Sequence, residues 1–294
     1  MPQEKHQLIG YKMVKKEGPW PFITRIHYHH PQLEPLIWKS RDHRKGFHVD
    51  SCPTFRYLKV LWKPQDLNWW IGLIFAIGAS FFILGCLLCL SPTLAEYSSL
   101  DSSEINSIFF MGSIPFTTAA YLQLFQAANT HHFGATNHKT SKFKILGWKP
   151  KDIGWLSSAF QFCGTLLFNL NTFKAISPPE NWLQEDLWIW IPDVFGSIFF
   201  LISGYLAFIE VGHKHGVFHL KNMSWWITFI NLLGCIAFMV SAIYAFIPHE
   251  NLKESHIVLS LLFTLIGAFC FCLGAILMIP ENAKKYEVKS SRQR

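Results

Sequence analysis

The sequence predicts an all-α polytopic membrane protein with six transmembrane helices, arranged as three tandem two-helix hairpins. Half of the residues are hydrophobic and 16% are aromatic. They fall into six apolar runs of about 20 residues, the length that crosses a bilayer core of about 30 Å. Because backbone polar groups find no water in lipid, each run is expected to be helical. The predicted spans are 68–90, 105–126, 154–176, 187–210, 225–247 and 257–279.

The distribution of basic residues predicts the orientation of these spans. If the N-terminus is cytoplasmic, 24 of the 26 Lys and Arg residues lie on the cytoplasmic side, and only Lys174 and Lys253 lie on the other. Such enrichment in short loops is typical of cytoplasmic segments. We therefore predict a multi-pass protein of the cell (cytoplasmic) membrane with both termini in the cytoplasm. The net charge of +7 is explained by orientation and by contact with anionic headgroups, so it does not indicate nucleic-acid binding.

These spans divide the chain into seven segments. Three are transmembrane hairpins, and the other four are predicted to be cytoplasmic. In order they are a basic N-terminal segment (1–67), hairpin 1 (68–126), a linker (127–153), hairpin 2 (154–211), a loop (212–224), hairpin 3 (225–279) and a tail (280–294).

A short motif recurs near the centre of every span. A Gly is followed by a small residue and, four positions after the Gly, by a Phe. The Gly residues are 34, 32 and 33 positions apart within the three pairs of spans, but 52 and 38 apart between pairs, which indicates a repeated two-helix unit. The motif residues are Gly78 and Phe82, Gly112 and Phe116, Gly164 and Phe168, Gly196 and Phe200, Gly234 and Phe238, and Gly267 and Phe271.

The motif is explained by helix packing. The motif Gly and the residues four and seven positions after it share one helical face. Small residues on this face allow a neighbouring backbone to approach closely in a membrane. The Phe is expected to fill the remaining gap. Asp66 and Asp152 each precede a span of an odd-numbered helix, where an Asp can cap the helix N-terminus.

This pattern, in Gly78-Ala79 with Phe82 and Gly112-Ser113 with Phe116, resembles that of the YrhK-like family of small bacterial integral membrane proteins. The resemblance covers the spans and not the first 60 residues. The chain departs from the family in having three hairpins in a row instead of one. The resemblance implies a fold and a membrane localisation, and it brings no activity.

Polar residues interrupt several spans and allow two interpretations. Gln161, Asn171, Asp193 and Asn231 lie on or near the motif face, and Glu210 lies at the end of the fourth span. They could line a path for a small solute or ion, or they could join helices by hydrogen bonds. Ionisable residues within a membrane are usually functional, which makes Asp193 and Glu210 the strongest single candidates for such a path.

Histidines form a second set of candidates, because twelve of the 14 are cytoplasmic in this topology. Neutral imidazole binds zinc or iron, and carboxylate with His is a common ligand set. The alternative is a hydrated, partly cationic membrane surface. The residues considered as metal ligands are His131, His132, His213 and His215, and a metal-dependent enzyme would also use His27, His29 and His30.

The sequence contains no evident catalytic motif, so no catalytic residue and no cofactor are assigned, and the protein is predicted not to be an enzyme. The leading interpretation is a channel or transporter for a small solute or ion. The alternatives are a metal-dependent membrane enzyme and a structural or regulatory scaffold. Under any of these interpretations the protein could form a homo-oligomer. We expect residues 1–67 to pack at the inner membrane surface or under the bundle, with the stretch IWKSRDHRKG as a basic surface.

Overall fold

The computed structural model describes residues 10–32, 34–46, 62–130, 142–216, 218–246 and 254–281. It is dominated by six long helices, and each overlaps one predicted span. In chain order they are α2 (Leu67–Leu90), α4 (Ser102–Ala128), α5 (Ile153–Ile176), α7 (Ile191–Gly212), α8 (Met223–Ala245) and α9 (Glu254–Met278). The short helices are α1 (Ser40–Arg44), α3 (Pro92–Ser98) and α6 (Trp182–Glu185), and a π-helical turn at Asp186–Trp190 joins α6 to α7.

Among the residues that the structure describes, five segments are long and apolar enough to cross a membrane, as a multi-pass membrane protein requires. They are α2, α4, the continuous segment Trp182–Gly212, α8 and α9. Helix α5 has 24 residues, as many as α2, but it is not one of the five. Its amide and hydroxyl side chains lower its mean hydropathy. The prediction of membrane-crossing helices is thus confirmed for five segments by length and composition.

Side-chain caps start the odd-numbered spans, as predicted. The carboxylate of Asp66 accepts a hydrogen bond from the backbone N–H of Asn68, and that of Asp152 accepts from Gly154 and Trp155. Asn222 caps α8 in the same way. These bonds satisfy N–H groups that the first helical turn leaves without partners.

The six long helices form a closed ring in chain order. Each packs against the helix before it and the helix after it, and α9 packs against α2. Consecutive helices are antiparallel, so one end of the ring contains the starts of α2, α5 and α8 and the ends of α4, α7 and α9. Because helix α1 lies at this end, we call it the α1 end.

The motif glycines face each other in pairs across α2 and α4, α5 and α7, and α8 and α9. A methyl group on Gly78 would lie 2.9 Å from the carbonyl oxygen of Gly112. On Gly164 it would lie 3.1 Å from the oxygen of Gly196, and on Gly234 3.2 Å from the oxygen of Gly267. Each pair of backbones is therefore as close as only Gly allows.

The six motif phenylalanines meet on the axis of the ring. Each is only 5–7% exposed, and the ring centroids of neighbouring members lie 5.0–6.4 Å apart. Some contacts cross the ring, since Phe82 of α2 touches Phe238 of α8 and Phe116 of α4 touches Phe271 of α9. We call these six residues the aromatic plug: Phe82, Phe116, Phe168, Phe200, Phe238 and Phe271.

The N-terminal segment differs from the prediction in two respects. It contains an antiparallel sheet in the order β1-β2-β3, with β1 at Lys12–Glu17, β2 at Arg25–His29 and β3 at Leu36–Lys39, so the chain is mostly but not entirely helical. Helix α1 follows β3 directly. Its basic residues, predicted to form an exposed surface, are instead buried against the bundle: Arg41, Arg44 and Lys45 are 9%, 7% and 6% exposed. Buried carboxylates at the α1 end pair with these cations and overcome their preference for water.

Candidate functional site

A polar cavity lies inside the ring, between the aromatic plug and helix α1. Phe200 and Phe271 of the plug line it on one side, and Arg41, Arg44 and Lys45 line it on the other. It has about 70 Å³ of space for the centres of water molecules. Since about 10–15 Å³ of such space holds one water, the cavity has room for several waters or for one small solute with its hydration.

Polar side chains from four different helices converge on this cavity. Besides the three cations, its wall includes amides and hydroxyls from α4, α5, α7 and α8. No Asp or Glu is among its described lining residues. The polar members are Gln123, Gln126, Ser157, Ser158, Gln161, Ser203, Thr228 and Asn231.

The amides of this wall are not used to hold the bundle together. Within the described ranges, the side chains of Gln126, Gln161 and Asn231 make no hydrogen bond, and Oδ1 of Asn231 is buried without a partner. Gln126 is only 3% exposed. An amide buried without a hydrogen-bond partner costs about 1–3 kcal/mol. Oδ1 of Asn231 therefore requires a donor such as water in the cavity, and the amides of Gln126 and Gln161 are available to water or a ligand.

The hydroxyls of the wall are used differently. Ser157 donates to the carbonyl oxygen of Ser203 at 3.0 Å and joins α5 to α7. Ser158 donates to the carbonyl oxygen of Gly154, four residues earlier. Thr228 donates to the carbonyl oxygen of Ser224 in the same way. The amides, not the hydroxyls, are thus the free donors of the cavity.

Glu210 holds helix α1 against the bundle. Both of its oxygens accept from the Arg44 guanidinium, at 2.7 and 2.8 Å, and Ser40 Oγ donates to it at 2.7 Å. The carboxylate is fully buried. Arg44 also lies so close to Gly154, at the start of α5, that a methyl group there would overlap its guanidinium. The sequence prediction placed Glu210 on a solute path, but the structure places it behind Arg44, outside the cavity wall.

Glu281 makes the second buried ion-pair cluster. It accepts from Arg41 Nε at 3.3 Å, from Lys45 Nζ and from Ser224 Oγ at 2.7 Å. Burial opposes its ionisation, but the charges of Arg41 and Lys45 and the hydrogen bonds prevail and lower the pKa of Glu281 to about 2. Burial, with the nearby charge of Arg41, lowers the pKa of Lys45 to about 8. Lys45 therefore holds its proton less strongly than an exposed lysine does, and it lines the cavity together with Arg41 and Arg44.

The predicted path residues are divided between the two ends of the bundle. Gln161 and Asn231 line the cavity. Asn171 lies beyond the plug and donates to the carbonyl oxygen of Ile189 at 2.9 Å, so it joins α5 to the π-helical turn. Asp193 is half-buried in the first turn of α7 and does not line the cavity. The structure therefore does not bring all five candidates together.

The structure describes two of the predicted metal ligands, His213 and His215, and each has a different partner. His213 Nδ1 lies 2.8 Å from the Thr24 hydroxyl, and His215 Nδ1 lies 2.8 Å from the Tyr205 hydroxyl. His131 and His132 lie outside the described residues. Within the described ranges, no three His, Cys, Asp or Glu side chains are grouped as a metal site would require. Burial and the positive charges of Arg25 and Lys39 lower the pKa of His213 to about 4, so it is neutral at physiological pH.

Sequence reasoning missed the residues that close the cavity. Arg41, Arg44 and Lys45 follow one another at helical spacing, and this pattern also describes a solvated basic face. Their partners, Glu210 and Glu281, are 166 and 236 residues away from Arg44 and Lys45 in the chain. A weak signal existed, because Glu281 follows the last apolar run after a single proline, ahead of the basic tail.

Comparison of the chain with family models, with curated proteins and with solved structures gives no match. The resemblance to YrhK-like proteins therefore stays an interpretation of the Gly and Phe motif.

Proposed function

We propose that this protein is a six-span membrane protein that passes a small polar solute or ion through the centre of its helix ring. The observation that carries the proposal is the polar cavity, where Oδ1 of Asn231 is buried without a partner and the amides of Gln126 and Gln161 make no hydrogen bond within the described part of the chain. In the proposed orientation the α1 end faces the cytoplasm. The solute would then enter the cavity from the cytoplasmic side.

The aromatic plug would be the gate. It lies between the cavity and the opposite end of the bundle, and a small apolar void of about 10 Å³ between its rings touches Phe82, Phe168 and Phe238. Hydrophobic constrictions of this kind close a pathway by excluding water. The six aromatic side chains fill the axis of the helix ring. They must therefore move apart before a solute can pass.

Helix α5 supports the same proposal from another direction. It is too polar to be one of the five apolar segments, yet it packs between α4 and α7 as a full member of the ring. Ser157, Ser158 and Gln161 of this helix face the cavity. A helix whose polar groups face a wet interior does not need high mean hydropathy to cross a membrane.

The proposal is tested by opening the gate. The protein is reconstituted into liposomes, and the shrinkage and recovery of the vesicles are followed by light scattering after addition of potassium nitrate, urea or glycerol. We expect Phe271→Ala to raise the rate for at least one of these solutes by about tenfold, because it removes a ring from the plug. The matched control is Phe269→Ala on the same helix, since Phe269 is 53% exposed and faces outward.

The proposal fails if neither the wild-type protein nor Phe271→Ala passes any of these solutes faster than protein-free vesicles do. The metal-dependent enzyme and the scaffold remain alternatives from the sequence. No contact within the described ranges favours either of them over transport.

A further inference from the structure

We propose that the polar cavity is a binding site for a small inorganic anion, held by the terminal guanidinium nitrogens of Arg41 and by the side-chain amides of Gln126 and Gln161. This inference deepens the proposed function and rests on it for the role of the site. It names the class of solute, which the proposed function leaves open.

The sign of the charge on the wall is the first argument. Three cationic side chains line the cavity, whereas Glu210 and Glu281 lie behind them and do not reach it. Asp152, which caps α5, is a third carboxylate whose charge acts on Arg44, so what favours an anion is not the sum of charges at this end but the wall, which in its described part carries cations and no carboxylate. These cations are 9%, 7% and 6% exposed, so their charges are screened less than those at the protein surface. The wall therefore repels a cation and attracts an anion.

The geometry of Arg41 is the second argument. Its Nε donates to Oε1 of Glu281 at 3.3 Å, and within the described residues its two terminal nitrogens make no hydrogen bond. Arg44, in contrast, uses both terminal nitrogens on Glu210. The planar end of Arg41 therefore remains available, and a guanidinium binds oxyanions through two parallel hydrogen bonds.

The neutral donors are the third argument. Gln126 and Gln161 each provide an NH₂ group with two donors, from α4 and α5 respectively. Buried amides that point at a bound anion do not remain unsatisfied, and they fix its position without adding charge. The limited size of the cavity excludes large organic anions and admits ions such as nitrate or chloride.

The test measures binding without transport. The full-length protein is purified in detergent, and its unfolding temperature is followed while sodium nitrate replaces sodium gluconate at constant ionic strength. A ligand that binds only the folded state raises this temperature in a saturable way. We expect saturable stabilisation by nitrate, and the same curve with choline nitrate, because the effect belongs to the anion.

Two variants locate the bound ion. We expect Gln161→Leu to raise the half-saturating nitrate concentration by about tenfold, which corresponds to about 1.4 kcal/mol. Arg41→Gln should raise it at least as much. The matched controls are Asn169→Leu, an amide on the same helix that does not line the cavity, and Arg25→Gln, whose ion pair with Glu17 lies in the sheet. Both should bind nitrate within twofold of the wild type.

The outcomes separate this inference from the proposed function. If Arg41→Gln does not fold, Gln161→Leu decides, since it leaves every ion pair intact. Absence of saturable stabilisation by nitrate and chloride in the wild type overturns the anion site, as does saturable binding that both cavity variants leave unchanged. Vesicles that pass urea or glycerol without any anion binding would keep the transport proposal and reject the anion. Anion binding by a protein that passes none of the solutes would keep the anion site and reject the transport proposal.

Discussion

At the scale of single residues, the contact between Arg44 and Glu210 is the clearest determinant of how the N-terminal segment docks. Both side chains are buried, and they share two hydrogen bonds of 2.7 and 2.8 Å. Removing one partner of a buried pair leaves an uncompensated charge, which costs about 3–5 kcal/mol. We expect Arg44→Ala to lower the free energy of unfolding by that amount, as measured by thermal or denaturant unfolding in detergent.

The control for this prediction is a pair of the same type in a wetter place. Arg25 pairs with Glu17 at 3.2 Å in the sheet, where Arg25 is 25% exposed. The pair is partly buried, since Glu17 is 16% exposed, so it should contribute less than a fully buried pair and somewhat more than fully exposed pairs, which contribute about 0–1 kcal/mol. A cost of Arg44→Ala no larger than that of Arg25→Ala would show that α1 does not depend on this contact. A double variant, Arg44→Met with Glu210→Leu, should recover much of the loss because it leaves neither position charged.

His213 gives the α1 end a specific dependence on pH. Its folded pKa of about 4 lies below the ordinary value of 6.5, because burial and then Arg25 and Lys39 disfavour the charged ring. The unfolded chain therefore binds more protons than the folded one between pH 6.5 and 4. The stabilising contribution is complete above pH 6.5 and is lost as the pH falls through this window, by up to about 3 kcal/mol.

We expect His213→Asn to flatten the dependence of the unfolding temperature on pH between 6.5 and 4. Asn suits the position, since residue 213 has a left-handed φ of 57° at the end of α7. His215→Gln is the control, because His215 bonds to the Tyr205 hydroxyl at an exposed site. A pH profile of His213→Asn that matches the wild-type profile would exclude His213 as its source.

At the scale of elements, the pairing of α2 with α4 depends on the absence of side chains at Gly78 and Gly112. A methyl group on Gly78 would lie 2.6 Å from Cδ2 of Phe116 and 2.9 Å from the carbonyl oxygen of Gly112. Neither the backbone oxygen nor the packed ring can move away without separating the helices. We expect Gly78→Ala to destabilise the protein by about 1–3 kcal/mol, despite the higher helix propensity of Ala.

The matched control is Gly274→Ala, on α9. There the nearest atom to an added methyl group is Oδ1 of Asn231, the end of a side chain that can rotate into the cavity. We expect a change in unfolding free energy of less than about 1 kcal/mol. Equal losses for the two variants, measured by unfolding in the same detergent, would argue that the Gly78 contact is not the determinant of this helix pair.

The comparison of these elements shows what a local pattern can and cannot predict. The helices, their capping Asp residues and the shared face of Gly and Phe follow from spacings of three to seven residues, so they were visible in the sequence. The buried position of α1 was not visible. It depends on ion pairs between residues that are 166 to 240 positions apart in the chain. The sequence of a basic helical turn is the same whether the turn faces water or a distant carboxylate.

The candidate site was predictable only in part, for the same reason. Gln161 and Asn231 were identified because an amide in an apolar run is unusual in itself. Asn171 is equally unusual, yet it bonds to a carbonyl oxygen and joins two elements. Which amide bonds to protein and which one faces a cavity is decided by the facing helix. That information is tertiary, and no spacing within one helix contains it.

At the scale of the whole molecule, the ring separates two polar regions by one apolar layer. The α1 end contains the cavity and the buried ion pairs. Beyond the plug, polar side chains bond mainly between helices, as Ser241 does with Thr264 at 2.6 Å and Thr172 with Ser113 at 3.2 Å. The described cavity lies on one side of the plug, and most described polar groups on the other side bond to protein, although Oδ1 of Asn169 is buried there without a partner.

The number of membrane-crossing helices, odd or even, decides whether the two termini lie on opposite sides of the membrane or on the same side. If only the five apolar segments cross, the two termini lie on opposite sides. If α5 also crosses, they lie on the same side, as the distribution of Lys and Arg requires. The closed ring favours crossing, because α5 runs antiparallel between α4 and α7 over a full 24 residues, about 36 Å at 1.5 Å per residue.

We therefore expect both termini in the cytoplasm, as reported by C-terminal fusions to green fluorescent protein and to alkaline phosphatase. A fusion at the full C-terminus should fluoresce and lack phosphatase activity. Fusions ending at Ser99, after α2, and at Ser177, after α5, should show the opposite pattern, since both positions lie outside in a six-span protein. The fusion at Ser177 distinguishes five spans from six. If it fluoresces, and if the fusion at the full C-terminus has phosphatase activity, α5 does not cross the membrane. The polar cavity would then open to the membrane surface along α5, and a path through the ring would have to be abandoned.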